Sequence, residues 1–390
     1  MNDSFASATA PRRPLEGIRV VDFGQFIAGP LAAALLGDFG ADVIRVERPE
    51  GGADRFVQPI GAHMPGGAVY LQINRNKRSL ALDSFDARAR EIVDRLIMHA
   101  DVVVANAPDA TRDAMGLSYE RVSALNPRLI LATCTAFGSG GALANAPGFD
   151  GIGQAMSGAM HMSGKDGEPR KAYAHYVDHL SAALSAFGVM MALRERERTG
   201  RGQHVETSLL RSALLTMAAN LTEEDVLQIG RHGIGNRAHL AGPADVFRTR
   251  DGHVLVQVIG DSMFGRCARL MQRVDWLDDP RFVSDETRCA RRDPERACRR
   301  VVRRQDDRRM RRCVACGRAP RRGGSHAERD AAPCRLACRR FLAPRRGRRR
   351  RPGHSPRRAA GRAFGDARQH RTRSAGTRRA QLGNPEGDRI

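Results

Sequence analysis

Ile18-Arg-Val-Val-Asp-Phe-Gly-Gln-Phe-Ile-Ala-Gly-Pro30-Leu-Ala-Ala-Ala-Leu-Leu-Gly-Asp-Phe-Gly40-Ala-Asp-Val-Ile-Arg-Val-Glu47 is the stretch that decides the fold. Ile18–Phe23 is a compact β-branched run and predicts a strand. Gly29-Pro30 opens a helix over Leu31–Phe39, with proline at its first turn and Gly40 past its end. Ala41–Glu47 is a second strand. Strands joined by a crossover helix run parallel, so this βαβ unit predicts a parallel sheet covered by helices.

The alternation continues outward. Strands are expected over Arg78–Asp83, Asp101–Asn106, Arg128–Phe137 and His204–Leu209. Helices are expected over Ala87–His99, Tyr119–Leu125, Asp150–Met162 and Leu210–Gln228, with a loop over 138–148. Residues 172–203 hold a loop, Asp178, a helix of about five turns and the stop Thr199-Gly-Arg-Gly-Gln203. The predicted fold class is therefore α/β, a doubly wound parallel-sheet large domain over 15–229. A loose leader, 1–14, precedes it. A smaller α+β domain begins over 230–285, with a hairpin of Ala244–Arg248 and His253–Ile259 and a helix over Met263–Gln272.

Charge divides the chain at residue 286. Residues 286–390 hold 34 Arg and 10 acidic residues, whereas residues 1–285 hold 31 basic and 33 acidic residues. The net charge of +22 therefore belongs to the last segment and says nothing about the ligand of the main body. That segment has ten Val, Ile, Leu, Phe and Met residues in 105, too few to offset chain entropy. It reads as a shifted reading frame in a GC-rich gene, and disorder is expected from Glu286 onward. An Arg-rich nucleic-acid extension is the rival, but Phe341 and Phe364 give few aromatic faces for bases, so nucleic acid is not the expected partner. Cys313, Cys316, Cys334 and Cys338 have a zinc-like spacing without a hydrophobic frame, and no metal is expected. Only Cys134 and Cys267 precede residue 286, which fits a reducing cytoplasm. The first 17 residues lack the apolar region of a secretion signal. Leu180–Leu193 is short for a bilayer span and rich in small and polar residues, so no membrane is expected.

Seven stretches, in order and at family-like spacing, resemble the class III CoA-transferases, the formyl-CoA transferase and carnitine CoA-transferase group. They are Val21–Pro30, Gly40–Arg48, Asn76-Lys-Arg-Ser79, Asn126-Pro-Arg-Leu-Ile130, Asp178, Thr199–Gln203 and Asp279-Pro-Arg-Phe282. The resemblance implies transfer of coenzyme A from an acyl-CoA to a carboxylic acid, with a CoA thioester as substrate and no permanently bound cofactor. It implies an interlocked homodimer. Asp178 is the implied nucleophile, forming an aspartyl-CoA thioester. Ile27 and Ala28 would line the pantetheine path, Arg48 would meet the adenosine phosphates, and Leu82, Asp83 and Asn106 would hold adenine and pantetheine. Asp150 would stand near the thioester. Asn76-Lys-Arg78 either touches phosphate or caps a sheet edge.

The residues also carry plainer readings. Asp178 before a helix is, on pattern alone, most often an N-cap. Arg48 reads as a solvated arginine, and Asp83 as a strand-end turn. An α-methylacyl-CoA racemase is the alternative enzyme, but its His–Asp pair is here Phe149-Asp150, which removes one proton-transfer partner. The glutamine of formyl-CoA transferase is replaced by Ile27, and Ala114 stands where many relatives carry arginine, with Arg112 nearby. An inactive frameshifted product is the remaining alternative.

Overall fold

The computed structural model describes residues 13–304, apart from 62, 63 and 65, together with the two-residue strand Arg378–Arg379. These fall into two compact units. The first holds residues 13–161 and 170–231, and the second 162–169 and 232–304.

In the first unit, β1 (Arg19–Asp22), α1 (Ala28–Asp38) and β2 (Asp42–Glu47) form the expected βαβ. Helix α1 begins three residues before Leu31. Pro30 fits inside its first turn, where a missing N–H leaves no hydrogen bond unmade. The chain continues through α2 (Ala68–Ile73), β3 (Lys77–Ala81), α3 (Arg90–Met98), β4 (Val102–Ala105), α4 (Asp109–Ala114), α5 (Tyr119–Leu125) and β5 (Ile130–Thr135). Then come α6 (Asp150–Met156), α7 (Ala159–Ser163), α8 (Tyr176–Thr199), β6 (His204–Ser208) and α9 (Leu209–Leu227). The single helix expected over Asp150–Met162 is two, because the chain turns at Gly158 with φ of +80°.

The strands lie parallel in the order β6-β5-β4-β1-β2-β3, and Arg378–Arg379 pairs with β3. Strand residues alternate between two apolar layers. Val20, Val102, Val104, Ile130 and Ala132 meet Ala33 and Leu36 of α1 and Val189, Ala192 and Leu193 of α8. Val21, Val103 and Leu131 meet Val93 and Ile97 of α3 and Val122 of α5. Helix α8, at 24 residues, is long and apolar enough to cross a bilayer by length and composition, more than its apolar centre Leu180–Leu193 suggests. It nevertheless packs on α1, α9, β5 and β6 as a core helix.

The Thr199-Gly-Arg-Gly-Gln203 stretch joins α8 to the sheet. Gly200 ends the helix at φ of +74°. Gly202 donates to the carbonyl of Pro127, and Gln203 accepts from Leu131 N. A Cβ on Gly202 would lie 1.8 Å from the carbonyl oxygen of Leu129. Backbone cannot yield like a side chain, so Gly202→Ala is expected to destabilise the protein by about 3 kcal/mol, read as a lower midpoint in urea unfolding.

The second unit is α+β. Its antiparallel hairpin of β7 (Ala244–Arg248) and β8 (His253–Gln257) shares a core with α10 (Gly260–Leu270) and α12 (Asp293–Arg303), and α11 (Asp285–Cys289) lies between them in sequence. Its core contains Phe247, Val254, Val256, Phe264, Trp276 and Phe282. Here the boundary drawn at Glu286 moves. Ser284 caps α11 in a capping box with Thr287, and α12 buries Ala297, Cys298 and Val302 in the same core. Three small apolar residues on one helical face suffice for packing, although arginine dominates the local composition. Residues 1–12 of the leader expected over 1–14, the part beyond 304 of the disorder expected from 286 onward, and the four spaced cysteines lie outside the described residues.

Candidate active site

The strand order reverses direction between β1 and β4. In an open parallel sheet such a switch point splays the connecting loops apart and leaves a crevice at the strands' C-terminal ends. The loop after β1, Phe23–Ile27, and the start of the loop after β4, Asn106–Pro108, both line a cavity of about 250 Å³ there.

Several devices hold these loops. Asn106 clamps the first one from the side: its Oδ1 accepts from Gln25 N at 2.7 Å and its Nδ2 donates to Gln25 O at 2.8 Å. Gly29 makes room for that clamp, since a Cβ there would lie 3.1 Å from the Asn106 amide. Beneath, the buried Lys77 Nζ donates to Asp22 Oδ2 at 2.7 Å, to Pro30 O at 2.7 Å and to Asn74 Oδ1 at 2.8 Å. Asp22 Oδ1 in turn accepts from Gly24 N at 2.8 Å. Burial lowers the Lys77 ammonium to about 8, opposed by the Asp22 carboxylate. With its loop fixed at both ends, Phe26 is held at φ of +57°, a conformation unusual for a bulky residue. Its ring meets Phe149 edge to face, with centroids 5.5 Å apart.

Asp178 enters the cavity from α8. It is the third residue of that helix, whose N-cap position is His175. The cap reading of Asp178 therefore fails. Asp150, the first residue of α6 and only 2% exposed, does the capping from outside. Its Oδ1 accepts from Val177 N at 2.8 Å and Asp178 N at 3.3 Å, and its Oδ2 accepts from Gln154 Nε2. Gln154 Oε1 accepts from Ala172 N at 2.8 Å, tying down the approach to α8.

Among the described residues no donor hydrogen-bonds the Asp178 carboxyl. Burial, with the Asp150 charge as the lesser cause, pushes it up to about 7. Cys134, at the end of β5, is the other nucleophilic side chain in the wall. Burial pushes its thiol up to about 11, so near neutral pH it stays protonated and unreactive. The ionisable group free to act is the carboxylate.

A raised carboxyl with no hydrogen-bond donor among the described residues stands at the sheet switch point, and comparison with known proteins gives the family. Residues 15–314 match CoA-transferase family III. The chain belongs to this family. It is an enzyme of the CoA-transferase class, and similar curated proteins carry such names. Succinyl-CoA–D-citramalate CoA-transferase of Chloroflexus aurantiacus is 33% identical over 286 residues, 72% of this chain and 71% of that protein. Succinate–glutarate CoA-transferase of Agrobacterium fabrum is 36% identical over 288 residues, 71% of each chain. A solved CaiB/BaiF family protein from Brucella suis superposes with a TM-score of 0.68 at 32% identity, covering 77% of this chain and 80% of that one.

Within this CoA-transferase, the structure gathers some of the expected residues and disperses others. Asp178, Ile27, Ala28 and Asn106 line the cavity together. The Asn106 amide is occupied by Gln25 and is a loop clamp, rather than a free donor for adenine or pantetheine. Arg48 is exposed outside the lining, with its guanidinium 5.9 Å from the ring centre of Phe85, which does line the cavity. Leu82 packs against the core beside α3, and Asp83 Oδ1 accepts from Phe85 N in a turn. Neither lines the cavity. Asp150 lies outside the cavity lining and caps α8 through the backbone of Val177 and Asp178. Asn76-Lys-Arg78 is structural: Lys77 pairs with Asp22, and Arg78 with Asp42. Arg112 is turned inward, 2.9 Å from Asp109. Phe26, Phe85 and Cys134 were not legible as site residues, because nothing in their local sequence separates them from core.

Proposed function

We propose that the enzyme moves coenzyme A from an acyl-CoA to a carboxylic acid through a thioester on Asp178. The observation that carries this reading is the unpartnered Asp178 carboxyl in the wall of the switch-point cavity. In the first step an Asp178 oxygen bonds to the thioester carbonyl carbon, the C–S bond breaks and CoA leaves as thiolate. The resulting mixed anhydride is attacked at the Asp178 carboxyl carbon by the thiolate, releasing the donor acid and leaving aspartyl-CoA. The acceptor carboxylate attacks the same carbon and expels the thiolate. The thiolate then takes the new acyl group and regenerates Asp178. Each step exchanges one acyl–heteroatom bond for another, so thioester energy is kept from water. The cavity opens on the first turn of α1, and helix N-termini offer unpaired amides to a developing oxyanion.

Arg48 beside Phe85 supports a place for the phosphate end of CoA at the cavity edge. Phe149 stands in the cavity wall where racemases carry histidine, which favours transfer over proton abstraction. A homodimer fits the exposed Leu215, Leu221, Val226 and Leu227 along and just inside the end of α9. Light scattering on purified protein tests the dimer. The arginine-rich composition of 286–390 is the observation behind a second reading, a frameshifted and inactive product, and sequencing the gene across codons 275–300 tests it.

The direct test is a panel of donors and acceptors followed by mass spectrometry, beginning with the succinyl-CoA, citramalate and glutarate in the relatives' names. Transfer with none of the pairs would sink the reading. The pH dependence has a definite sign. Asp178 attacks as carboxylate, and its carboxyl is raised to about 7, so it is protonated below that pH. Then kcat/KM is expected to rise about tenfold per pH unit on the acid side and level off above pH 7. A profile flat down to about pH 5 would mean an unshifted carboxylate.

A further inference from the structure

We propose that Asp150 is a positioning residue for Asp178, its buried carboxylate fixing the first turn of α8 while Gln154 fixes the loop entering it. The inference rests on the reading of Asp178 as nucleophile. One carboxylate oxygen receives both Val177 N and Asp178 N, so the backbone of the nucleophile itself hangs on Asp150. The other oxygen is held by Gln154, whose remaining amide oxygen receives Ala172 N. The second residue of α6, Gly151, and Gly153 allow close approach: a Cβ on Gly153 would lie 2.9 Å from Val177 Cγ1. Helix α6 is thereby a rigid bracket from which Asp178 is aimed into the cavity.

The bracket also places a negative charge behind the nucleophile. The other ionisable groups nearby are few. Cys134 faces Asp178 from β5, and burial raises it. Tyr176 precedes it on α8 and is raised by burial and by Asp150, so both stay neutral near pH 7. His175 and His179 flank it on the exposed side, with His179 Nδ1 on the carbonyl of His175. From α1 and α9 the cavity receives Ala28 and Leu209, which carry no charge. Burial is the main cause that disfavours ionising Asp178, and the Asp150 charge adds to it.

Asp150→Asn removes the charge while its amide oxygen can still accept from both backbone N–H groups; its amide nitrogen then faces the Gln154 Nε2 donor, so that one bond is lost too, and Gln154→Ala reads that loss by itself. The acid limb of the kcat/KM profile is expected to move down by about one pH unit. Gln154→Ala keeps the charge and frees the loop, so kcat is expected to fall about tenfold with the limb unmoved. The Asp178 carboxyl is titrated in parallel by ¹³C NMR, assigned with Asp178→Asn. An unmoved NMR titration in D150N, or wild-type kcat in Q154A, overturns the proposal. An NMR titration that moves while the kinetic limb stays put supports the positioning and overturns Asp178 as nucleophile. If D150N fails to fold by circular dichroism, the Q154A rate and limb decide alone.

Discussion

Asp178→Ala is expected to lower kcat for CoA transfer by about 10³-fold or more, with the acyl-CoA dissociation constant changed little. The asymmetry follows from the site. The methyl group keeps the fold, because α8 is capped by Asp150 and the Asp178 side chain accepts no bond that the helix needs. What disappears is the oxygen that must bond to the thioester carbon. No neighbour substitutes for it, since the Cys134 thiol is held up at about 11 and stays protonated. During turnover of the wild-type enzyme, hydroxylamine is expected to convert Asp178 to a hydroxamate, found on its peptide by mass spectrometry. Retained turnover in the alanine variant would exclude the covalent route. Asp178→Asn separates charge from shape and is expected to be as inactive as alanine, with substrate binding again kept.

The second large effect is on stability. Lys77→Met is expected to cost about 3–5 kcal/mol, read as a lower urea midpoint. The methionine fills the volume, but Asp22 then remains in the interior facing no cation. At 0% exposure it has no water to replace one. The same change unties Pro30 O and Asn74, so the turn from β1 into α1 loses its support from below. Ile27 and Ala28 belong to that turn, and acyl-CoA affinity is expected to fall with stability. Removing both charges, in Asp22→Asn with Lys77→Met, is expected to restore part of the loss, since two neutral partners leave no uncompensated charge. A double variant no better than the single one would show that the pair acts through the loop hydrogen bonds alone.

Much of the large unit could be read from local pattern. The β-branched runs at 18–23 and 41–47, with a proline-opened helix between them, gave strands and helix to within three residues. Compact β-branched runs, which suit strands buried on both faces, and the 3.6-residue period of helices are local properties of a chain, and they survive without knowledge of partners. Helix α12 is where local pattern misleads. Its core positions Ala297, Cys298 and Val302 are small and flanked by arginines, so average composition hid a face that packing reveals.

Asp178 was found by its register with distant motifs, and its surroundings were misassigned. The N-cap preference pointed to Asp178 itself, yet the cap comes from Asp150, 28 residues earlier. The resemblance implies a ligand-facing Asn106, and for Lys77 the sequence leaves phosphate contact and a sheet-edge cap both open. Both side chains are spent on the backbone of the β1–α1 loop and on Asp22, partners that only the sheet order brings within 3 Å. The sequence by itself determined a parallel α/β unit and nominated one aspartate, because periodicity and motif order are carried along the chain. The tertiary structure alone decided what that aspartate can do. Its raised carboxyl, the absence among the described residues of a donor to it, and the charge behind it arise from burial and through-space fields, which depend on distances between segments that are far apart in sequence.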